Sequence, residues 1–240
     1  MTARIGVVVF PGTNCEHDVV GALDLAASQW AASHGGPVPA SAELVWHGEH
    51  SLAGCDAVVL PGGFAHGDYL RPGAIARFSP VMEAVAAFAA EGGPVVGICN
   101  GFQVLTEAGL LPGALQKNRD LRFLCTAVDI EVCTTRSVLS SSATAGARLS
   151  IPINHFEGNY TCDAETLARL RDEDRIVFRY AANPNGSVDD IAGVCNTEGN
   201  VVGLMPHPER ASDPLLGSED GLPLLTSLVA SAASRVAQPA

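Results

Sequence analysis

The stretch of residues 92–105, Gly-Gly-Pro-Val-Val-Gly-Ile-Cys-Asn-Gly-Phe-Gln-Val-Leu, constrains the fold more than any other part of the chain. It opens with a short apolar run bounded by glycine and proline, a pattern typical of a buried parallel strand. A turn at Gly97, Cys99 and Gly101 follows. After it, apolar residues recur at the spacing of a helix, which Gly109 ends. A strand, a tight turn and a helix in this order predict a nucleophile elbow with cysteine as the nucleophile.

Cys99 is the residue that such a turn would present. The glycines two positions before and after it leave room for a turn too tight for larger side chains. The start of the following helix offers unpaired N–H groups and the positive end of a dipole, which favour a thiolate over a thiol. The alternative is a buried structural cysteine at a strand end, the commoner fate of a free cysteine. The flanking glycines and the helix favour the catalytic interpretation.

Composition limits the remaining possibilities. The chain has 240 residues, of which 47% are apolar, so we expect a single domain over residues 1–240 with a sizeable core. The net charge of -12 argues against binding to nucleic acid or to an anionic membrane. The chain has 7 cysteines without paired spacing, which indicates reduced thiols and a cytoplasmic location. No apolar run approaches the ~18 residues of a membrane helix.

The order of the predicted elements indicates the fold class. Apolar runs predict strands at residues 5–10, 43–46, 57–60 and 94–98, with helices at residues 18–33 and 80–90 between them. Strands that are apolar throughout and alternate with helices predict an open, mostly parallel, doubly wound α/β sheet of the flavodoxin-like kind. Loops at the carboxyl ends of such strands lie side by side, and ligands bind at that edge of the sheet.

The second half of the chain predicts an added antiparallel portion. Strands are expected at residues 121–133, 148–153, 175–180, 191–195 and 201–205. A helix capped by Asp163 and a final helix at residues 221–236 complete the elements. Residues 134–146 are rich in Ser, Thr and Ala and predict a surface loop.

Residues 205–209, Met-Pro-His-Pro-Glu, follow directly on a predicted strand. The prolines on either side keep His207 out of a helix and out of strand pairing. Residues two apart in an extended segment point the same way, so Glu209 can reach the imidazole of His207. Alone, the pair is better explained as part of a solvated loop. With Cys99 it completes the order Cys, His, Glu of a catalytic triad with a thiol nucleophile.

With these residues in view, the sequence resembles the class I, triad-type glutamine amidotransferases. Within that family it is similar to the small glutaminase subunits of phosphoribosylformylglycinamidine synthase, and the similarity covers nearly the whole chain. The elbow and the Pro-His-Pro-Glu segment are shared by many amidotransferases. Residues 67–70, residues 73–78 and the run Cys-Asn-Gly-Phe-Gln are typical of the purine enzyme.

The resemblance implies a role for each residue of the triad. Cys99 would attack the side-chain amide of glutamine, and His207 would accept the thiol proton and later deliver one to the departing ammonia. Glu209 would orient His207. The oxyanion would face the backbone N–H of Asn100 and a second N–H from either Gly62 or Gly63. One such donor typically raises the reaction rate by about 10²–10³-fold.

The resemblance also implies residues that hold glutamine. Gln103 and His155 match positions that bind this substrate in such enzymes. An ordinary helix surface position is an equal alternative for Gln103, and packing within a loop is an alternative for His155. The chain departs from the usual family pattern at Pro72, at Phe156 and in a longer loop at residues 33–42.

A glutaminase of this type implies a partner. Ammonia released into neutral water is mostly protonated and loses its nucleophilicity, so the reaction is useful only beside a synthetase that receives ammonia directly. The resemblance implies a large synthetase subunit, with ATP and Mg on that subunit and no cofactor in this chain, and a third small subunit. The basic residues 117–122 are either a solvated run or a contact for an acidic partner.

Other candidate sites are weaker, and two rival functions stay open. Residues 14–18 contain metal-binding residue types, but neighbours in a turn cannot all converge on one ion, so we expect helix capping by Asn14 or Asp18 and no metal site. Neither a Walker sequence nor a G-x-G-x-x-G is present, so no nucleotide site is predicted. The rivals are another α/β thiol hydrolase, acting on esters or peptides, and a non-catalytic docking subunit with a vestigial triad.

Overall fold

The computed structural model describes residues 1–52 and 54–237, and a nine-stranded sheet runs through them. The strands are β1 (Ala3–Val9), β2 (Ala40–Trp46), β3 (Ala57–Leu60), β4 (Val95–Ile98), β5 (Ala114–Gln116), β6 (Leu124–Val132), β7 (Arg148–His155), β8 (Asn159–Thr161), β9 (Ile176–Tyr180), β10 (Ile191–Cys195) and β11 (Val201–Leu204). The helices are α1 (Glu16–His34), α2 (Val81–Ala90), α3 (Asn100–Glu107), α4 (Ala164–Asp172) and α5 (Leu222–Ala237).

The sheet has a parallel half and an antiparallel half. Its strand order is β2-β1-β3-β4-β11-β10-β9-β6-β7. Neighbouring strands are parallel from β2 to β11 and antiparallel from β11 to β7. The predicted open α/β sheet with an antiparallel addition is therefore confirmed. The addition continues the same sheet, and β5 pairs with β8 in a small separate ladder that the sequence did not predict.

The central strands are covered on both faces. Every residue of β3, β4 and β11 is buried, at odd and even positions alike. Continuous burial of this kind is the property of parallel strands between two layers of helices. The edge strand β7 instead alternates between buried and more exposed residues. Helix α1 packs against α5 and β1, and α3 packs against β3, β4 and β11.

Three neighbouring parallel strands end at one edge of the sheet. Strand β4 lies between β3 and β11, with Leu60 opposite Gly97 and Leu204 opposite Ile98. The chain segments that follow these three strands therefore emerge side by side. Such an edge is where open α/β sheets bind their ligands.

Most predicted elements are present, with ends that differ by a few residues. Strand β7 extends to His155, so this residue ends a strand and does not lie in a loop. Asp163 caps α4 as predicted, because its carboxylate accepts a hydrogen bond from the Thr166 N–H at 2.7 Å.

The prediction of a surface loop at residues 134–146 is wrong for its middle part. Leu139 and Ser140 are fully buried. The Ser142 N–H donates to the Ser227 hydroxyl of α5 at 2.8 Å. The small residues of this segment therefore serve close packing under a helix, and the composition alone could not distinguish that from exposure.

The prediction that Asn14 or Asp18 caps α1 is also wrong. The residue before the helix is Cys15, whose side chain makes no capping hydrogen bond. The carboxamide oxygen of Asn14 instead accepts from the Cys15 thiol at 3.3 Å. Asp18 lies on the first turn of α1, with a carboxylate oxygen 3.6 Å from the Arg210 guanidinium.

Candidate active site

Cys99 occupies the sharp turn between β4 and α3. Its backbone has φ 50° and ψ -104°, a region that residues other than glycine rarely adopt and that is typical of strained functional turns. The flanking glycines have no space for a side chain. A Cβ at Gly97 would lie 2.6 Å from the Gly101 carbonyl oxygen, and one at Gly101 would lie 1.8 Å from that of Leu60. The close approach of α3 to β3 thus fixes the position of the sulfur.

His207 and Glu209 form a buried pair after the end of β11. The His207 Nδ1 lies 2.6 Å from a Glu209 carboxylate oxygen, and the side chains are 2% and 0% exposed. The backbone N–H of His207 donates to the Pro152 carbonyl of β7 at 2.9 Å, which holds the segment against the sheet. The contact predicted between these two side chains is present.

The protonation state of His207 follows from its neighbours. Burial disfavours a charged imidazole, but the Glu209 carboxylate and the Cys99 sulfur outweigh it and hold the pKa of His207 well above its ordinary value. Because Nδ1 is bound to the carboxylate, Nε2 is the nitrogen left for proton exchange. Nε2 is buried and has no hydrogen-bond partner among the described residues. The pair is suited to take a proton from a thiol and hold it.

Two cysteine sulfurs, those of Cys99 and Cys15, interact with His207. The Cys15 sulfur, a His207 ring nitrogen and a Glu209 carboxylate oxygen lie within 4.8 Å of one another. Cys99 lines an open cavity, whereas Cys15 is not among the described residues that line it. Cys99 is therefore the sulfur that a molecule in the cavity would meet.

The cavity in front of Cys99 has a volume of about 310 Å³. Of the residues predicted for the site, it brings Cys99 together with Gly63, Gln103 and His155. Gly62 lies behind this lining, against the triad: a Cβ there would stand 2.6 Å from the His207 ring. The glycine at this position is what allows the imidazole to approach the loop after β3.

An amide network holds the floor of the cavity. The Asn100 carboxamide donates to Gln103 Oε1 at 2.9 Å and to an Asp68 carboxylate oxygen at 3.0 Å. Gln103 in turn donates to the backbone carbonyl of Glu157 at 2.5 Å. Gln103 is therefore buried, and both polar atoms of its side chain are hydrogen-bonded within the protein. It is not an ordinary helix surface residue. Burial raises the pKa of Asp68 to about 6 despite the hydrogen bond from Asn100.

His155 lines the cavity and carries one unprotonated, buried ring nitrogen. Asn118 Oδ1 accepts from the Gly158 N–H at 3.2 Å and lies 3.1 Å from His155 Nδ1, so Nδ1 carries the hydrogen. Burial, together with the neighbouring His207, lowers the pKa of His155 to about 4. Its Nε2 is thus a buried acceptor, without a partner among the residues described. A donor on a bound molecule could satisfy it.

One group of described residues, Cys15, His207 and Glu209, has ligand types and spacing that a metal ion could use. Two existing contacts oppose that use. The Arg210 guanidinium donates to the Cys15 sulfur at 3.2 Å, and the Glu209 carboxylate already holds His207 Nδ1. A cation would have to displace both contacts next to a fixed positive charge, so the arrangement is better suited to proton transfer.

Sequence reasoning missed two members of the site, Cys15 and Asp68. Cys15 follows β1, and Asp68 follows β3. Strands β1 and β3 are parallel neighbours, so their carboxyl ends share the edge where Cys99 lies. The position of each residue after a predicted parallel strand was the available signal.

Comparison with known proteins agrees with this geometry. Residues 2–219 match the CobB/CobQ-like glutamine amidotransferase domain. A relative from Rubrobacter xylanophilus, phosphoribosylformylglycinamidine synthase subunit PurQ, is 56% identical over 229 residues, which cover 95% of this chain and 99% of the relative.

Solved structures show the same architecture. The structure of PurLQS from Thermotoga maritima matches with a TM-score of 0.84 at 38% identity, over 96% of this chain and 99% of that one. The glutaminase domain of Trypanosoma brucei CTPS with bound acivicin matches with a TM-score of 0.63 over 97% and 94% of the two chains. At 18% identity, the second match shows a shared fold and no more.

Replacing Glu209 by glutamine tests the electrostatic account of His207. Glu209→Gln keeps the size of the side chain and removes its charge, so burial is left to dominate. We expect the pKa of His207 to fall, because burial disfavours the charged ring once the carboxylate is gone. NMR titration of the imidazole signals measures this change. Glu198→Gln, in the hairpin between β10 and β11, is the matched control, and an unchanged His207 titration in Glu209→Gln would contradict the account.

Proposed function

The chain belongs to the family of phosphoribosylformylglycinamidine synthase PurQ subunits, within the glutamine amidotransferases, and from this premise we propose its function. It hydrolyses glutamine to glutamate and ammonia, and it supplies the ammonia to a partner synthetase that makes phosphoribosylformylglycinamidine in purine biosynthesis. One observation carries the proposal: a buried His207–Glu209 pair interacts with Cys99, which lines a cavity.

The proposed reaction begins with proton transfer from the Cys99 thiol to Nε2 of His207. The sulfur then attacks the side-chain amide carbon of glutamine and forms a tetrahedral oxyanion. Collapse of this intermediate expels ammonia, which takes its proton from the imidazolium of His207. Water, deprotonated by the same imidazole, hydrolyses the thioester and releases glutamate. Glu209 stabilises the imidazolium in each of these steps, which agrees with the raised pKa of His207.

The oxyanion is proposed to bind the backbone N–H groups of Asn100 and Gly63. Asn100 is the first residue of α3, where N–H groups have no partner within the helix. Gly63 has φ +141° and lines the cavity together with Cys99. Gly62, the other candidate from the sequence, contributes space for the His207 ring. Donors of this kind stabilise negative charge that develops on the substrate.

Charges around the cavity favour glutamine over an ester or a peptide. The carboxylates of Asp68 and Glu157 and the ammonium of Lys117 line the same space. Both signs of charge suit the ammonium and carboxylate groups of a free α-amino acid. The unprotonated Nε2 of His155 can accept a hydrogen bond from an N–H group of the substrate. The role of Gln103 is to shape the floor of the cavity through its hydrogen bonds.

The partner is proposed to be the large synthetase subunit, with a third small subunit in the assembly. ATP and Mg belong to the synthetase in this proposal, and this chain uses no cofactor of its own. No helix in the described part of the chain is both long and apolar enough to cross a bilayer. We place the complex in the cytoplasm, where 7 unpaired cysteines would stay reduced.

Cys99→Ala separates the proposed function from its rivals. In the assembled complex we expect it to abolish glutamine-dependent synthesis and to leave ammonia-dependent synthesis unchanged, because only the first needs the nucleophile. Both activities are measured as product formed per complex, with the exposed Cys125→Ala as the control. Loss of both activities together would assign the chain a structural role. Retention of glutamine-dependent synthesis would exclude Cys99 as the nucleophile.

Exposed apolar side chains at the mouth of the cavity mark the proposed docking surface. Phe64, Leu70 and Phe156 line the cavity, and Tyr69 precedes Leu70. Leu70 is 91% exposed and Tyr69 is 74% exposed. Apolar groups gathered around an opening are typical of a surface that another protein covers. A synthetase bound there would receive ammonia without its passage through water.

Leu70→Asp tests this surface. A charge at the centre of an apolar contact would be buried without a partner, so we expect affinity for the large subunit to fall about 10-fold or more. Titration calorimetry of the two purified subunits measures the dissociation constant. Leu215→Asp is the matched control, because Leu215 is 94% exposed and lines a different cavity. Equal affinities for the two variants would contradict the proposed surface.

A further inference from the structure

The turn formed by residues 11–15, here called the 11–15 turn, lies between β1 and α1 and contributes no group to the steps of the proposed reaction. It runs alongside residues 61–66, the loop that follows β3 and contains Gly63. Backbone hydrogen bonds join the two segments along their length. They run from His66 N–H to the Pro11 carbonyl at 2.5 Å, from Phe64 N–H to the Gly12 carbonyl at 3.0 Å, and from Cys15 N–H to the Gly62 carbonyl at 3.3 Å.

The backbones of these two segments pack too closely to admit a side chain at their glycines. Gly12 has φ +90°, and a Cβ at this position would stand 2.2 Å from the Phe64 carbonyl oxygen. A Cβ at Gly63 would stand 2.7 Å from the backbone nitrogen of Asn14. Backbone atoms on each side therefore touch the other side directly. The position of the Gly63 amide is set by the turn.

The side chain of Cys15 joins the same turn to the segment that carries the triad. The Cys15 sulfur accepts a hydrogen bond from the Arg210 guanidinium at 3.2 Å, and its thiol lies 3.3 Å from the Asn14 carboxamide oxygen. Arg210 follows Glu209 in the chain. The sulfur also lies within 4.8 Å of polar atoms of both His207 and Glu209. Cys15 itself is only 2% exposed, so this contact is held in the interior.

We propose that the 11–15 turn is a positioning element for the glutaminase reaction, with Cys15 as its central positioning residue. Its backbone fixes the loop that offers Gly63 to the oxyanion, and its sulfur, through Arg210, fixes the segment that holds His207. This inference rests on the proposed glutaminase function.

The physical reason is that the reaction needs two groups from different strands at set distances from one sulfur. The Gly63 amide comes after β3, and His207 comes after β11, with Cys99 after β4 between them. No direct hydrogen bond between the 61–66 loop and the His207 side chain is found among the described residues. Gly62 of that loop packs directly against the His207 ring, and the 11–15 turn adds hydrogen bonds to both segments, which hold the spacing between the oxyanion donor and the base.

The experiment compares Cys15→Ala and Cys15→Ser in the assembled complex. Loss of the acceptor for Arg210 would let the two segments move apart, and small misplacements of catalytic groups cost up to about 100-fold in rate. We expect Cys15→Ala to lower kcat for glutamine by about 10-fold or more while KM stays within about threefold. Cys15→Ser, whose hydroxyl also accepts a hydrogen bond, should recover most of kcat. Ammonia-dependent synthesis should not change in either variant.

Two further variants complete the test. Cys195→Ala replaces another buried cysteine, on β10, and should keep full activity. Arg210→Met removes the donor of the same hydrogen bond, and Arg210 is the more exposed of the two partners. It should lower kcat as Cys15→Ala does, and it keeps the test valid if Cys15→Ala folds poorly. The inference is overturned if Arg210→Met or Cys15→Ala retains the kcat of Cys195→Ala, if KM alone changes, or if Cys15→Ser is as impaired as Cys15→Ala. A wild-type complex without glutaminase activity would instead overturn the proposed function.

Discussion

The hydrogen bond between His207 and Glu209 is the interaction on which the site depends. It joins two ionisable groups that are almost completely buried, where either charge alone would be costly. Each partner therefore makes the charged form of the other tolerable. Its consequence is a raised pKa for His207, so the ring can keep a proton that it has taken from a thiol. Without the pair, the strained cysteine at the strand end would have no base beside it.

The sheet brings the base and the nucleophile together. Cys99 and His207 are separated by more than 100 positions in the sequence, yet they follow the neighbouring parallel strands β4 and β11. Parallel pairing sends both chain segments out at one edge, and β3 adds the glycine loop on the other side of β4. The chemistry of the site is thus a consequence of strand order. Strand order alone does not fix the distance between the loop after β3 and the segment that carries His207. The hydrogen bonds of the 11–15 turn fix it.

Local patterns in the sequence were enough to predict the strands of the large sheet, the elbow at Cys99 and the contact between His207 and Glu209. These features depend on glycines, prolines and apolar runs within a few residues of one another. The features that could not be predicted depend on contacts between distant segments. The sulfur of Cys15 meets Arg210, and Asn100 meets Asp68, only because the sheet places them together. The burial of Leu139 under α5 belongs to the same class.

The most direct test of the account is to identify the atom that carries the acyl group during turnover. The complex is mixed with glutamine, quenched in acid, digested and analysed by mass spectrometry for peptides that carry one added glutamyl group. Because two sulfurs lie near His207, the position of the adduct is decisive. The account predicts a glutamyl thioester on the peptide that contains Cys99. An adduct on Cys15, or glutamine consumed with no adduct on any cysteine, would contradict it.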